Sequence, residues 1–137
     1  MHKLLQTAFQ GDKFSIAKLI SLFESSNPTD TLECIELDNA LPKKARGLLV
    51  GLTGAPGTGK STLIQHLGNS PLTKKKEWRI AVVAVDPSSP ISGGALLGDR
   101  TRVSFHDSER TYFRSQASDL DLGGIGRNTY RVCRFLR

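Results

Sequence analysis

Apolar positions in the first forty residues recur at helical spacing. Phe14, Ile16, Ala17, Leu19, Ile20 and Phe23 place 16, 19, 20 and 23 on one face of an amphipathic helix. Gly11-Asp12 supplies its start and its cap. Asn27-Pro28 breaks the rhythm, and Asp30-Thr31-Leu32-Glu33 reads as a capping-box variant opening a second helix that Pro42 stops. This helical pair has the pattern of a packing appendage rather than of a site.

The pattern changes at Gly47. Leu48-Leu49-Val50-Gly51-Leu52 is a continuous apolar run, as expected of a buried parallel strand. A glycine-rich loop follows, then a helical pattern over Ser61–Leu67. Arg79–Val85 reads as a second buried strand, and a Pro/Ser/Gly-rich stretch runs from Asp86 to Gly98, with a short helical turn near Leu96. Thr111–Arg114 is a candidate third strand. Gly123-Gly124 leads into a last helix with Ile125, Thr129, Val132 and Leu136 on its inner face. The β-loop-α-β order predicts an α/β fold: a parallel sheet with right-handed crossovers, carrying an N-terminal helical appendage.

The chain has 137 residues, 38% hydrophobic and 23% charged, the composition of one soluble domain. Its longest apolar run, Ile80–Val85, is far short of the roughly 20 residues of a membrane span. The N-terminus lacks the pattern of a secretory signal or an Arg-rich transit peptide. Cys34 and Cys133 stand far apart with no CxxC or Cys/His cluster, which argues against a disulfide framework or zinc site and for a reducing, cytoplasmic protein.

A net charge of +6 favours anionic partners. Lys74-Lys75-Lys76 reads as a solvated loop run. Arg127, Arg131 and Arg134 share a helical face that suits either a polyanion or solvent. No basic patch is interleaved with aromatic residues, so a small anionic ligand is favoured over nucleic acid.

Such a ligand has an evident seat. Gly54-Ala55-Pro56-Gly57-Thr58-Gly59-Lys60-Ser61 fits G-x-x-x-x-G-K-S/T at every fixed position. Glycines let the backbone wrap closely and aim N–H groups at phosphate oxygens. Lys60 suits the β- and γ-phosphates, and the Ser61 hydroxyl suits Mg²⁺. A helix beginning near Lys60 adds a partially positive N-terminus. A chance match in a chain this long is on the order of one in 100 or rarer, and the flanking strand and helix patterns make it rarer still.

Two carboxylates accompany the loop. Asp86 stands at the end of a predicted parallel strand, where side chains reach the ligand-binding edge of such a sheet. Asp99 lies in Gly98-Asp99-Arg100-Thr101-Arg102. Both suit Mg²⁺ coordination or positioning of an attacking water. Both also fit plain structural roles: Asp86 as a turn former before Pro87, and Asp99 as a partner of Arg102.

These segments together resemble the MeaB/ArgK family of P-loop GTPases. The resemblance rests on Gly54–Thr62, on Ala84-Val85-Asp86-Pro87-Ser88-Ser89-Pro90, and on Gly93–Arg102. Phe113-Arg114-Ser115 and Leu122–Arg127 are similar to the stretch leading into that family's next helix, and Gly11-Asp12 with its helix to the N-terminal arm. The resemblance implies GTP or GDP with Mg²⁺ as ligands, and a GTPase chaperone of an adenosylcobalamin-dependent acyl-CoA mutase of the methylmalonyl-CoA mutase type. It implies phosphate contacts from Gly54, Ala55, Pro56, Gly57, Thr58, Gly59, Lys60, Ser61 and Thr62, and metal-side roles for Ser61, Asp86 and Asp99. Asp86, Asp99 and Lys60 would be the catalytic set.

Members of that family are homodimers and continue through a Glu-x-x-Gly-type Walker B segment, an Asn-Lys-x-Asp motif that reads guanine, and a dimerisation region. The expectation is therefore an N-terminal portion: a helical arm over 1–46 and a P-loop domain over 47–137, with an incomplete sheet, ending before those motifs. Two rival functions remain on the sequence: a non-catalytic remnant or partner-binding fragment that binds phosphate weakly or only partners, and an ATP-dependent kinase linked to basic amino-acid transport.

Overall fold

The computed structural model describes residues 3–44, 47–75, 78–87, 103–107, 109–118 and 127–137. They form two compact units, residues 1–49 with 127–137, and residues 50–126. The expected helical turn near Leu96, Asp99 and the inner-face Ile125 lie outside the described residues.

The first unit is helical: α1 (Lys3–Phe9), α2 (Lys13–Glu24), α3 (Pro28–Ala40) and α6 (Arg127–Leu136). Asp12 caps α2 as its position predicts, its carboxylate accepting the Ser15 N–H at 2.8 Å and the Ser15 hydroxyl. Ser15 in turn meets the Thr7 hydroxyl at 2.7 Å, joining α1 to α2. The left-handed backbone between them falls on Gly11, φ 98°, where a side chain would be strained.

The start of α3 differs from the capping box expected at Asp30. Asn27 is the cap, accepting the Thr29 N–H at 3.2 Å, and Pro28 is the first helical residue. Proline fits there because its missing N–H is one that the first turn leaves unbonded. What interrupts α2 therefore begins α3, and Asp30 instead accepts the Ser25 hydroxyl.

Every buried apolar side chain among the described residues lies in this unit. Leu5, Leu19, Ile20, Phe23, Leu37 and Val132 are essentially sealed from solvent. Phe135 stacks obliquely on Phe23 with ring centroids 5.8 Å apart, and on Phe9 at 6.4 Å. The inner face of α6 is thus Val132 with Phe135, whereas Leu136, expected inside, is half-buried. Arg134, one of the three arginines expected to meet solvent or a polyanion, is ion-paired to Asp38 at 3.0 Å. The sequence boundary at 46/47 follows chain order, whereas the compact unit gathers α6 with the arm because Val132 and Phe135 complete its core.

The second unit contains α4 (Lys60–Gly68), α5 (Pro71–Lys75), β1 (Ile80–Pro87) and β2 (Thr111–Ser118). The strands are parallel and in register from Ile80 opposite Thr111 to Pro87 opposite Ser118. Ile80 donates its N–H to Arg110 O at 2.9 Å, extending the ladder backward. Lys74 and Lys75 belong to the short helix α5, not to a loop.

The run 48–52 departs from expectation. It forms no strand, and Leu48, Val50 and Leu52 are 87, 72 and 43% exposed. A parallel strand needs ladder partners and covered faces. The sheet described here has only β1 and β2, so the apolar run lacks both. The result is still an α/β architecture with a two-stranded parallel sheet, a partial P-loop fold.

Candidate functional site

The segment Gly54–Ser61 is a tight loop delivering the chain into α4. Pro56 and Gly57 occupy the centre of a turn in which the Thr58 N–H reaches Ala55 O at 3.4 Å. Gly57 has φ 80°, and proline followed by a positive-φ glycine is the type II pattern. Gly59, φ 84° and ψ 15°, is the left-handed residue capping α4, and its carbonyl accepts the first helical bond from the Leu63 N–H at 2.9 Å. A Cβ on Gly57 or Gly59 would meet nothing within 4 Å. Glycine is needed there for backbone conformation, not for space.

Side chains reinforce the turn. Thr58 Oγ1 donates to Ala55 O at 2.9 Å. Lys60 Nζ folds back over the loop and donates to both Gly54 O and Ala55 O at 2.8 Å. The ammonium is therefore held against the first residues of the loop. Gly59, the N-cap of α4, has no side chain to bond the first-turn N–H groups. Residues 54–59 and Thr62 are exposed, and Lys60 and Ser61 are half-buried. A fixed cation, a helix N-terminus without a side-chain cap and an exposed loop fit a phosphate chain.

The sequence-predicted loop residues Gly54 to Thr62 are thus brought together. Asp86 occupies the penultimate position of β1, opposite Ala117, so the strand runs past it instead of ending before it. Asp99 lies outside the described residues. Among those residues, no group of three or more His, Cys, Asp or Glu side chains is arranged to hold a metal ion. Cys34 and Cys133 are free thiols of the helical unit, both pushed up by burial. No helix among the described residues is long and apolar enough to cross a membrane.

A further contact of α4 lies at its other end. Asn69, just past the far end of α4, bonds the backbone of Ser104 and His106. Its only sequence signal is a Gly-Asn pair after a helical run, which reads as an ordinary helix stop.

A phosphate loop opening a helix beside a parallel strand pair defines the class, a P-loop nucleotide-binding fold. Comparison with known proteins narrows it. The model of the family described as "Methylmalonyl Co-A mutase-associated GTPase MeaB" matches residues 16–137. The chain belongs to that family. It is 36% identical over 135 residues to a putative GTPase of Pyrococcus horikoshii, covering 98% of this chain and 41% of the relative. It is 38% identical over 117 residues to GTPase ArgK of Escherichia coli, covering 84% and 35%. With the mitochondrial methylmalonic aciduria type A homolog of Caenorhabditis elegans it shares 33% over 144 residues, covering 96% and 36%. The chain spans about two fifths or less of the length of these relatives.

Proposed function

We propose that this chain binds the phosphates of a guanine nucleotide, and that it acts as part of a cytoplasmic GTPase chaperone of an adenosylcobalamin-dependent mutase. The observation supporting nucleotide binding is the phosphate loop itself, with Lys60 Nζ held 2.8 Å from two loop carbonyls and a helix opening at Lys60 without a side-chain cap. Family membership supports guanine as the base and a methylmalonyl-CoA mutase-type protein as the partner.

In this reading the backbone N–H groups from Ala55 to Thr62 bind and orient the phosphate oxygens, except at Pro56, which has no N–H, and at Thr58, whose N–H closes the turn onto Ala55 O. Lys60 releases its carbonyl partners to neutralise the terminal phosphates. Ser61 would hold Mg²⁺, which when bound draws electron density from the phosphate oxygens and fixes their orientation. Asp86 and Asp99 would orient the metal's waters or the attacking water. The family's homodimeric state is the expected assembly.

Titration with a fluorescent GDP analogue tests the loop. Lys60→Ala should remove most of the affinity, because it deletes the fixed cation while the backbone cradle stays. Ser61→Ala should instead blunt the Mg²⁺ dependence of binding. Unchanged affinity in the Lys60 variant would falsify the phosphate-site reading. Competition by GTP against ATP separates the GTPase from a kinase, and a chain that binds neither is the partner-binding remnant.

A further inference from the structure

At the end of α4 remote from the phosphate loop, Asn69 grips a separate stretch of chain with both halves of its carboxamide. Nδ2 donates to Ser104 O at 3.0 Å, and Oδ1 accepts the His106 N–H at 2.8 Å. The side chain imitates a strand neighbour, pairing with the donor and acceptor that a β-ladder would use. Between those contacts the Phe105 ring lies against Gly68, where a Cβ would fall 2.2 Å from Cε1 and 2.5 Å from Cδ1. Position 68 therefore has no room for any side chain while Phe105 keeps its place.

This seat stands out because α4 is otherwise lightly held, with no buried residue along its length. Beyond it, Thr73 Oγ1 donates to Ser70 O at 2.6 Å and to Gly68 O at 3.4 Å, and the Trp78 N–H donates to Thr73 O at 3.2 Å. Trp78 lines a small depression with Gly68, Asn69, His106, Asp107 and Arg110. Contacts thus run from the helix that begins at Lys60 to the backbone of Trp78, whose residue borders the same depression as Gly68 and Asn69. Nine residues of helix, about 13 Å, separate the two ends.

We propose that Asn69 is a positioning residue of the phosphate loop. With Gly68 it seats the far end of α4 on Ser104–His106, so that Lys60 and Ser61 are held in place for phosphate, and nucleotide binding is felt at Trp78. The inference rests on the nucleotide reading given above. Asn69 touches no phosphate in it, and acts by restricting how far α4 swings.

The test compares Asn69→Ala with the unsubstituted 137-residue chain. Without nucleotide, amide hydrogen exchange over residues 61–68 should rise about tenfold in the variant, while β1 and β2 exchange as before. Affinity for a fluorescent GDP analogue should fall about tenfold. Emission of Trp78, the single tryptophan, should change on adding unlabelled GDP to the unsubstituted chain and stay flat in the variant at saturation. A merely structural role would instead speed exchange throughout the unit and leave the Trp78 response intact. Asn69→Asp keeps the acceptor for His106 and loses the donor to Ser104, so it should move all three readings the same way by a smaller factor. Equal exchange over 61–68 in both proteins, or an Asn69→Ala variant that binds as tightly and still moves Trp78, overturns the proposal. If the unsubstituted chain fails to bind the analogue at all, the nucleotide reading falls, and the exchange result alone then decides for or against the seat.

Discussion

Arg134 Nη1 lies 3.0 Å from Asp38 Oδ1, joining the last turn of α6 to α3 across 96 residues of chain. Both side chains are about one third exposed, which places the pair among partly screened surface bridges. Asp38→Ala and Arg134→Ala should each lower stability by up to about 1 kcal/mol. A double-mutant cycle on urea midpoints should give a coupling that shrinks in 1 M salt. A salt-independent coupling would show that Arg134 acts by packing its stem and not through charge.

Phe23 carries a larger share of the same unit. It is fully buried and in contact with the Phe135 ring. Phe23→Ala should cost about 3–5 kcal/mol, a large fraction of the total for a small domain. The expected measurement is loss of the cooperative helical melt. Leu32→Ala, at a site 74% exposed on α3, should be nearly silent.

Gly59→Ala should separate conformation from crowding. Its Cβ would find open space, yet φ 84° penalises any side chain by about 1–2 kcal/mol. That cost falls on the cap of α4, so nucleotide affinity should drop even though no phosphate-facing atom is removed. Gly51→Ala also meets nothing within 4 Å and has no positive φ, so it should bind as the unsubstituted chain does.

Two aspartates should make the protein acid-sensitive. Hydrogen bonds from Ser15 hold the Asp12 carboxyl below its ordinary 3.8. The Arg110 guanidinium, donating from Nε at 2.7 Å, does the same for Asp107. The unfolded chain takes up these protons first, so their stabilisation is full above pH 3.8 and is lost as pH falls through the depressed folded values. Asp12→Asn and Asp107→Asn should each flatten the stability profile in that acid range. An unaltered profile counts against the cap and pair assignments.

In the described residues, sequence reasoning reached what is local and missed what is relational. The α2 cap at Asp12, the loop glycines 57 and 59 and the strand at 80 are each determined by residues within one turn of themselves. Asn27-Pro28 conceals the α3 cap because a helix breaker and a helix starter are the same dipeptide viewed from opposite sides. The run 48–52 announces apolarity, but burial depends on neighbours that apolarity does not supply. Asn69 left almost no trace, since its partners are main-chain atoms of Ser104 and His106, and any residue type there offers the same carbonyl and amide. Arg134 looked like solvent-facing charge because its partner, Asp38, lies nearly a hundred positions earlier.

Because α6 closes onto α1–α3, the helical unit is interrupted in the chain by the whole phosphate-loop unit. On a ribosome, Phe23 emerges early and its cover, Val132 and Phe135, roughly a hundred residues later. At about 5–20 residues per second the nascent arm therefore waits some 5–20 seconds with its apolar face open. During that interval the phosphate-loop unit is synthesised within a loop whose ends are not yet joined. The core of the arm is therefore completed only once α6 has been made.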